Sequence, residues 1–346
     1  MKMYAIFCGE GTCSCKIIDY ICELVCAYAY VCVRDHKQLT MKRIIVFLFT
    51  TFFSVAACSN LTIGGGSVNS DSTGTGNEQA PGTDGTETPE YDIYLLIGQS
   101  NAAGRGVMKP GDEQPIEGVK MIWSIPYGPC VVQDACQPLN LNSTVRKGKA
   151  MQKFNLAGPF AAKLHRETGR QILLIVNARG ETSLGNWLPN AGQLTYAEKT
   201  GDDQDKWGSP IPQLYGEAVR IVKQVLSQED IKGELKGILW HQGCGNSNET
   251  ESPLYCSRLK AVVDGLRTEF NNPNLPFVAG QLVPEFKNAQ YFNPEIVKIG
   301  DVITNAFCAT SEDCESVGDG THFNRESLII MGERYADIIL REVYGK

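Results

Sequence analysis

Histidine, basic residues and metal-binding spacings are all scarce in this sequence. The chain has 346 residues but four histidines, and neither CxxC nor HxxxH occurs after residue 57, which argues against zinc chemistry. Acidic residues outnumber basic ones by 39 to 32, and without the first 57 residues, which carry 4 and 6, the balance would be 35 to 26. Such acidity argues against nucleic acid and anionic membrane surfaces as partners. We expect neither a metal nor another cofactor.

A short apolar stretch lies near the start of the chain. Two basic residues precede fourteen mostly apolar residues over 44–57, a length too short for a comfortable membrane span. The small residues before Cys58 resemble a bacterial lipobox, which predicts that 41–57 are a lipoprotein signal peptide and that Cys58 carries the lipid. The alternative is an ordinary signal peptide cut near Ala57. We therefore expect a protein that is held in the bacterial cell envelope by lipid alone, or one that is secreted.

Two segments flank this signal. Residues 1–40 lie upstream of it and resemble an unused upstream start. Residues 58–90 are predicted to be a flexible tether, because 20 of the 32 residues over 59–90 are Gly, Ser, Thr or Asn and cannot bury a core. The folded domain should then span 91–346.

From residue 91 onward, short apolar runs alternate with helical patterns. Apolar runs bounded by turn signals predict strands, and apolar residues at a 3.6-residue period predict helices. Near-continuous apolar strands separated by helices indicate a parallel sheet that is covered on both faces. The sequence thus predicts one α/β domain, a three-layer α/β/α sandwich with a central parallel sheet. The predicted strands cover 93–98, 119–125, 171–178, 235–241 and 276–282, and the clearest helices cover 159–168, 213–226, 253–270 and 324–344.

The six cysteines of this domain fall into three local pairs. Separations of six, twelve and six residues suit short disulfide loops in an oxidising compartment. Buried free thiols are the alternative interpretation. The predicted disulfides are Cys130–Cys136, Cys244–Cys256 and Cys308–Cys314.

The segment GQSN, which follows the first predicted strand, contains a candidate nucleophile. Active sites of open parallel sheets form beyond the carboxyl ends of the strands, and Ser100 lies two residues past such an end. At the start of a helix its backbone N–H would face a developing negative charge. A serine in this position also serves as a plain helix N-cap, so the motif alone leaves both interpretations open.

A serine nucleophile needs a base, and three histidines follow the predicted signal peptide. His165 lies on a predicted helix and is expected to be a solvated surface residue, whereas His241 ends a strand and is expected to shape the site without acting as the base. His322 follows Asp319 by three residues in a Gly-containing loop, so one loop can present a carboxylate and an imidazole together. This combination predicts a catalytic triad of Ser100, His322 and Asp319.

Two other strand ends supply candidate hydrogen-bond donors. Gly180 follows the strand over 171–178, and its missing side chain leaves its N–H open to a substrate oxygen. Gln242 follows the strand that ends at 241 and carries a side-chain amide. The N–H groups of Ser100 and Gly180 and the Gln242 amide are therefore predicted to form an oxyanion hole. Glycine turns without a catalytic role are the alternative.

In this order, the four segments resemble the SGNH hydrolases, and within them the carbohydrate esterases of the sialate O-acetylesterase and family-six acetylxylan esterase group. GQSNAAGRG resembles the nucleophile block, ARGETS the oxyanion glycine block, WHQG the third block and DGTHFN the DxxH block, over 91–344. The resemblance implies a flavodoxin-like fold, a metal-free Ser-His-Asp mechanism and removal of acetyl groups from sugars. The sequence departs from the group at Glu181, where a second glycine is common, and at Cys244, where an acidic residue is common.

Carried onto this sequence, the resemblance makes Ser100 the nucleophile, His322 the base and Asp319 the residue that holds the imidazole. An acetylated carbohydrate is the expected substrate. Aromatic faces and guanidinium donors suit hydroxylated rings, although each such residue also has a structural interpretation. The candidates for sugar binding are Arg105, Arg179 and Trp187.

The sequence leaves other functions and the choice of sugar open. The same fold suits a catalytically silent glycan-binding surface lipoprotein, or a lipase or thioesterase with a long apolar acyl channel. Within the esterase hypothesis, sialic acid would favour a basic pocket for its carboxylate, whereas xylan would favour an open aromatic groove.

Overall fold

The structure is a computed structural model that describes residues 90–124, 129–139, 153–191 and 213–346. The predicted unused start (1–40), the signal peptide (41–57), the lipidation site Cys58 and the tether up to residue 89 lie outside the described residues and stay predictions. Glu90, the first described residue, already lies in a strand. Within the ranges described, no helix is long and apolar enough to cross a membrane.

In the described part of the chain, seven strands form one sheet in the order β3-β2-β4-β1-β5-β6-β7. Every pairing is parallel except that of β2 with β3, which is antiparallel. The predicted central parallel sheet is thus correct for six strands, and β3 adds an antiparallel edge that the sequence analysis missed. The strands are β1 (Glu90–Gly98), β2 (Val119–Ser124), β3 (Cys130–Asp134), β4 (Gln171–Ala178), β5 (Lys232–His241), β6 (Phe277–Gly280) and β7 (Ala306–Ala309).

Four helices of the domain correspond to the predicted ones. The clearest boundaries belong to the last helix, where the Asn324 side chain accepts the Ser327 N–H at 2.8 Å and Gly345 closes the end with a φ of 66°. Short 3₁₀ turns lie at Leu184–Trp187, Cys244–Asn246 and Ser252–Leu254. The α-helices are α1 (Ser100–Ala103), α2 (Ala157–Thr168), α3 (Leu214–Leu226), α4 (Tyr255–Glu269), α5 (Ala289–Ile296), α6 (Ile299–Val302) and α7 (Arg325–Tyr344).

Helices cover both faces of the sheet. Along β1, Ile93, Leu95 and Ile97 join a core with α3 and α4, whereas the alternating Tyr94 and Leu96 join a second core with α2 and α7. Side chains of a strand point alternately to the two faces, so two apolar cores require an unbroken apolar run. Each fully buried Ile or Leu contributes roughly 1.5 to 3 kcal/mol. The two-sided burial therefore explains why β1 reads as continuously apolar and lies at the centre of the sheet.

The three predicted disulfides are not formed in the structure, and the six cysteines of the described residues are thiols. Cys130 begins the extended β3, whose five residues place Asp134 about 13 Å away, so the chain would have to turn back sharply within two residues to bring Cys136 within the roughly 4 to 7 Å that a disulfide spans between Cα atoms. Cys308 packs against one core of the sheet and Cys314 belongs to the other. The Cys256 thiol lies 3.4 Å from the Glu295 carbonyl oxygen. The pairing prediction was wrong because short spacing along the chain does not bring side chains together across a strand or a sheet.

Candidate active site

The carboxyl ends of three neighbouring strands meet at one edge of the sheet. In the order β4-β1-β5, these strands end at Ala178, Gly98 and His241. The segments that follow them therefore lie side by side, as expected for the crevice of an open parallel sheet. This crevice contains the predicted nucleophile and the residues predicted to surround it.

Gly98 allows the chain to turn sharply into the site. Its φ is 135°, and a Cβ atom there would lie 2.3 Å from the His241 carbonyl oxygen. The Gly98 carbonyl accepts the Arg179 N–H at 2.8 Å, and the Gln99 N–H donates to the His241 carbonyl at 2.9 Å. Both neighbouring strands thus fix this turn, which places Ser100 as the first residue of α1.

The structure brings the three predicted triad residues into one hydrogen-bonded chain. Ser100 Oγ lies 2.9 Å from His322 Nε2, and His322 Nδ1 lies 2.6 Å from Asp319 Oδ2. A carboxylate only accepts, so Nδ1–H donates to Asp319 and Nε2 is free to accept the Ser100 hydroxyl. This arrangement lets the imidazole withdraw a proton from the serine while the carboxylate holds the ring.

Asp319 is held in its ionised form. Burial raises its pKa, but hydrogen bonds from the His322 backbone and ring and from the Thr321 N–H outweigh that effect, and the pKa lies below its usual value. The N–H groups of Thr321 and His322 both donate to Asp319 Oδ1 at 2.8 Å. The remaining oxygen, Oδ2, is thereby directed at the imidazole.

Asn101 joins the nucleophile to the loop that carries the histidine, a role that the sequence analysis did not find. Its side-chain amide donates to the Thr321 carbonyl at 3.1 Å and its Oδ1 accepts the Phe323 N–H at 3.1 Å. These two bonds flank His322, and Asn101 is fully buried. The sequence shows an amide side chain next to a candidate nucleophile. The hydrogen-bond partners of that amide lie about 220 residues away in the chain, so the sequence does not reveal them.

The three predicted oxyanion-hole donors differ in their surroundings. Ser100 starts α1, and Gly180 is the second residue after the end of the neighbouring strand β4, so both stay candidates. Gln242 is fully buried, and its amide nitrogen contacts the Thr182 carbonyl at 3.1 Å and Asn246 Oδ1 at 3.2 Å. An amide nitrogen has two hydrogens, and both are engaged by protein acceptors. Gln242 therefore ties adjacent loops together and does not face the pocket.

The three candidates for sugar binding also lie away from the pocket wall. Trp187 is fully buried, donates to Thr182 Oγ1 at 3.1 Å and packs edge to face on Trp240 at 5.6 Å, so it is a core residue. Arg105 is buried and donates to the Gly104 carbonyl at 2.7 Å. Arg179 is buried as well. The sequence indicated side chains suited to sugars, but burial was decided by the packing of the loops.

The other two histidines differ from the triad histidine in their surroundings. His165, on α2, is half-buried with Nδ1 2.7 Å from the Arg170 carbonyl, which is more burial than the expected surface position. His241 is fully buried, and its Nδ1 lies 3.1 Å from Tyr335 Oη. The Tyr335 hydroxyl donates to the Trp240 carbonyl at 2.7 Å, so His241 Nδ1–H is the donor to Oη.

His241 is consequently a neutral histidine that packs against the loop carrying Asp319 and His322. Its Nε2 has no hydrogen-bond partner among the described residues, and burial lowers its pKa to about 4. The His241 ring packs edge to face on the ring of Phe323, with 5.4 Å between the ring centroids. Phe323 directly follows His322 in the sequence. This agrees with the expectation that His241 shapes the site and is not the base.

The two departures from the related group both lie at the pocket. Glu181 has a φ of 62°, a left-handed conformation that glycine adopts without strain and that accounts for the usual glycine here. Cys244 lines the pocket, and burial raises the pKa of its thiol to about 11. It is therefore a neutral thiol at physiological pH where an acidic residue would be charged.

An open pocket of about 840 Å³ surrounds the triad. Loops after β1, β4, β5, β6 and β7 all contribute to its wall. Within the described residues, no group of three or more His, Cys, Asp and Glu side chains is arranged to hold a metal ion. The lining residues are Gln99, Ser100, Glu181, Thr182, Ser183, Cys244, Gly245, Glu285, Phe286, Lys287, Asp319, Gly320, Thr321 and His322.

Comparison with known proteins places this chain in the class of the carbohydrate esterases. The profile of one family, described as "Carbohydrate esterase, sialic acid-specific acetylesterase", matches residues 90–341. The chain belongs to this family. Membership supports an esterase that removes O-acetyl groups from a carbohydrate, in agreement with the class predicted from the sequence.

Individual relatives are distant but are matched almost over their whole length. A probable carbohydrate esterase of Arabidopsis thaliana is 22% identical over 295 residues, which cover 77% of this chain and 98% of the relative. A solved structure of a protein from Arabidopsis thaliana has a TM-score of 0.59 at 19% identity and covers 73% of this chain and 99% of that one. The structure of NanS has a TM-score of 0.52 at 16% identity and covers 75% and 99%. At such identities the structural likeness shows the fold alone.

Proposed function

We propose that the chain is a serine esterase of the SGNH type that removes O-acetyl groups from carbohydrates through an acyl-enzyme. The observation that carries the proposal is the hydrogen-bonded chain from Ser100 Oγ through His322 to Asp319, at 2.9 and 2.6 Å, in the wall of an open pocket. Helices on both faces of the sheet support the flavodoxin-like layering of that superfamily. The family's description supports sialic acid esters as substrates, and the resemblance read from the sequence adds xylan-type glycans.

The geometry supports the following reaction. Ser100 Oγ attacks the acetyl carbonyl carbon while its proton passes to His322 Nε2, and the N–H groups of Ser100 and Gly180 stabilise the oxyanion. The imidazolium then returns the proton to the departing sugar oxygen, which leaves an acetyl ester on Ser100. Water attacks this ester while giving a proton to His322 Nε2, and the imidazolium passes that proton to Ser100 Oγ as its bond to the acetyl carbon breaks and acetate leaves. Asp319 orients the ring and stabilises its charge in both steps.

Acetate release from an acetylated sugar, together with hydrolysis of 4-nitrophenyl acetate, tests this mechanism. Ser100→Ala and His322→Ala are expected to lower kcat by about 10³-fold or more. Ser257→Ala is the matched control, because Ser257 is an exposed serine on α4 whose hydroxyl donates to the Leu254 carbonyl. Equal rates in wild type and Ser100→Ala would reject the serine mechanism. A wild-type protein that binds glycans without releasing acetate would instead identify the silent-lectin alternative.

We also propose that Cys58 carries a lipid and holds the enzyme in the bacterial cell envelope. The signal-like segment over 41–57 and the Gly/Ser/Thr-rich tether over 58–90 support this location, since a flexible linker lets a tethered domain reach nearby glycans. Cys58→Ala is expected to move the protein from the membrane fraction to the soluble fraction. An unchanged distribution would reject the lipid anchor.

A further inference from the structure

The loop that carries Asp319 and His322 has an exposed tip with little packing to hold it. Val317, Gly318 and Asp319 are all exposed, and a Cβ atom added at Gly318 would meet nothing within 4 Å beyond its neighbours in the chain. Gly318 and Gly320 flank Asp319 and have φ values of 98° and 64°. Glycine adopts such conformations without strain, but it also has the widest choice of others. The two glycines by themselves therefore do not determine where Asp319 lies.

Ser316 supplies hydrogen bonds that hold this tip. Its Oγ accepts the Gly318 N–H at 3.2 Å and the Gly320 N–H at 3.3 Å, and a hydroxyl oxygen has two lone pairs for such bonds. The two donors are the residues directly before and after Asp319. One hydroxyl oxygen thus fixes the backbone on both sides of the catalytic carboxylate.

Ser316 is itself fixed at the base of the loop. It forms an isolated antiparallel bridge with Phe323, and the neighbouring Val317 N–H donates to the His322 carbonyl at 2.8 Å. From the loop after β6, Glu285 Oε1 accepts the Ser316 N–H at 3.0 Å. The Ser316 hydroxyl therefore holds the tip from a point where the backbone is already held on two sides.

The contact that depends on this arrangement is the one between Asp319 Oδ2 and His322 Nδ1, at 2.6 Å. The Asp319 side chain is 44% exposed, so water competes for its oxygens. Catalytic groups have to be held within about 0.5 Å of their productive geometry, which supporting hydrogen bonds achieve. Asn101 bonds to the residues on either side of His322, and Ser316 bonds to those on either side of Asp319. The two side chains thus support different members of the triad.

We propose that Ser316 is a positioning residue of this esterase, and that its hydroxyl keeps Asp319 aligned with His322 in both steps of the reaction. The inference rests on the proposed function, because Asp319 and His322 act as a catalytic pair only in that mechanism. Ser316 acts through Asp319 and is not among the described residues that line the pocket.

Steady-state hydrolysis of an acetyl ester by Ser316→Ala tests this role. The kcat is expected to fall by about tenfold or more, because a small displacement of a catalytic group already slows the reaction. Acylation and deacylation both use His322 and Asp319, so both steps should slow together and KM should stay within about twofold of the wild-type value. Ser316→Thr keeps a hydroxyl oxygen and should return kcat to within about threefold of the wild type.

Thermal unfolding of the same proteins separates positioning from general stability. Because the tip of the loop is exposed, the melting temperature of Ser316→Ala should fall by no more than about 4 °C. Ser257→Ala is the matched control, because Ser257 is a serine on α4 whose hydroxyl also bonds to nearby backbone and which does not line the pocket. It should leave kcat and KM unchanged.

The outcomes separate the inference from the function on which it rests. Wild-type kcat in Ser316→Ala, with Ser100→Ala inactive, would overturn the inference and leave the esterase proposal standing. A raised KM at unchanged kcat would also overturn it, because Ser316 would then act on substrate binding. A Ser316→Thr variant as slow as Ser316→Ala would mean that the hydroxyl is not the cause.

Two further results would count against the inference. A melting temperature of Ser316→Ala lowered by more than about 10 °C would mean that Ser316 supports the fold as a whole, which would overturn the positioning role. Absence of acetate release by the wild type, with Ser100→Ala equal to it, would overturn the proposed function and the inference with it.

Discussion

Replacing His241 by phenylalanine should remove one component of the acid sensitivity of the fold. His241 is fully buried against the loop that carries Asp319 and His322, and burial lowers its pKa to about 4. In the unfolded chain a histidine titrates near pH 6.5, so between these values the unfolded state binds the proton and the folded state does not. The stability linked to His241 is thus fully present above about pH 6.5 and is lost as the pH falls toward 4.

The size of the effect follows from the two pKa values. Each unit of pKa difference corresponds to about 1.4 kcal/mol, so the full loss is roughly 3 kcal/mol, of which about 2 kcal/mol appears between pH 7.5 and pH 5. Phenylalanine is somewhat larger than histidine but keeps a flat ring as the edge-to-face partner of Phe323, 5.4 Å away in the wild type. It has no proton to bind, so the variant should not show this loss.

Urea unfolding at pH 7.5, 6.5, 5.5 and 5.0 measures the difference. As the pH falls from 7.5 to 5.0, the free energy of unfolding of His241→Phe should rise by about 2 kcal/mol relative to that of the wild type. The m-value should not change. Other titrating groups are common to both proteins and cancel in the comparison. Parallel curves for the two proteins would refute the argument, because they would mean that His241 titrates equally in the folded and unfolded states.

Four further predictions follow from particular contacts. Asn101→Ala should lower kcat/KM for an acetyl ester by about 100-fold, because the loop that carries His322 would be displaced. Asn101→Asp keeps the acceptor for the Phe323 N–H and should recover part of that activity. Equal activity of the wild type and both variants would contradict this role of Asn101. Gly98→Ala should destabilise by about 3 kcal/mol in urea titrations, since its Cβ would lie 2.3 Å from the His241 carbonyl oxygen, and a loss below about 1 kcal/mol would mean that the turn adapts. Glu181→Gly should raise stability by about 0.5 kcal/mol by relieving the φ of 62°, whereas a lower melting temperature would show that Glu181 contacts outweigh the strain. Thiol titration of denatured, unreduced protein that begins at lipidated Cys58 should find six thiols. A titration that finds no thiol would show that the three predicted disulfides form after all.

The order of strands and helices was determined by the sequence because it depends on local periodicity. β4 has the predicted bounds, and α2, α3 and α7 agree within two residues of their predicted starts. β3 and β7 were missed: they are five and four residues long, and their pairing with neighbouring strands in the sheet is what defines them. The antiparallel direction of β3 likewise depends on its pairing with β2.

The sequence alone determined which residue types were available for chemistry: a serine after a strand, a DxxH loop, and few other histidines. Their assembly depended on tertiary structure, because Ser100 and His322 are 222 residues apart and meet only when β1 lies near the loops that follow β6 and β7. The same packing buried Trp187, engaged both amide hydrogens of Gln242 and kept the cysteines apart. Burial and hydrogen-bond partners are properties of the assembled loops, so no local pattern could distinguish a pocket residue from a structural one.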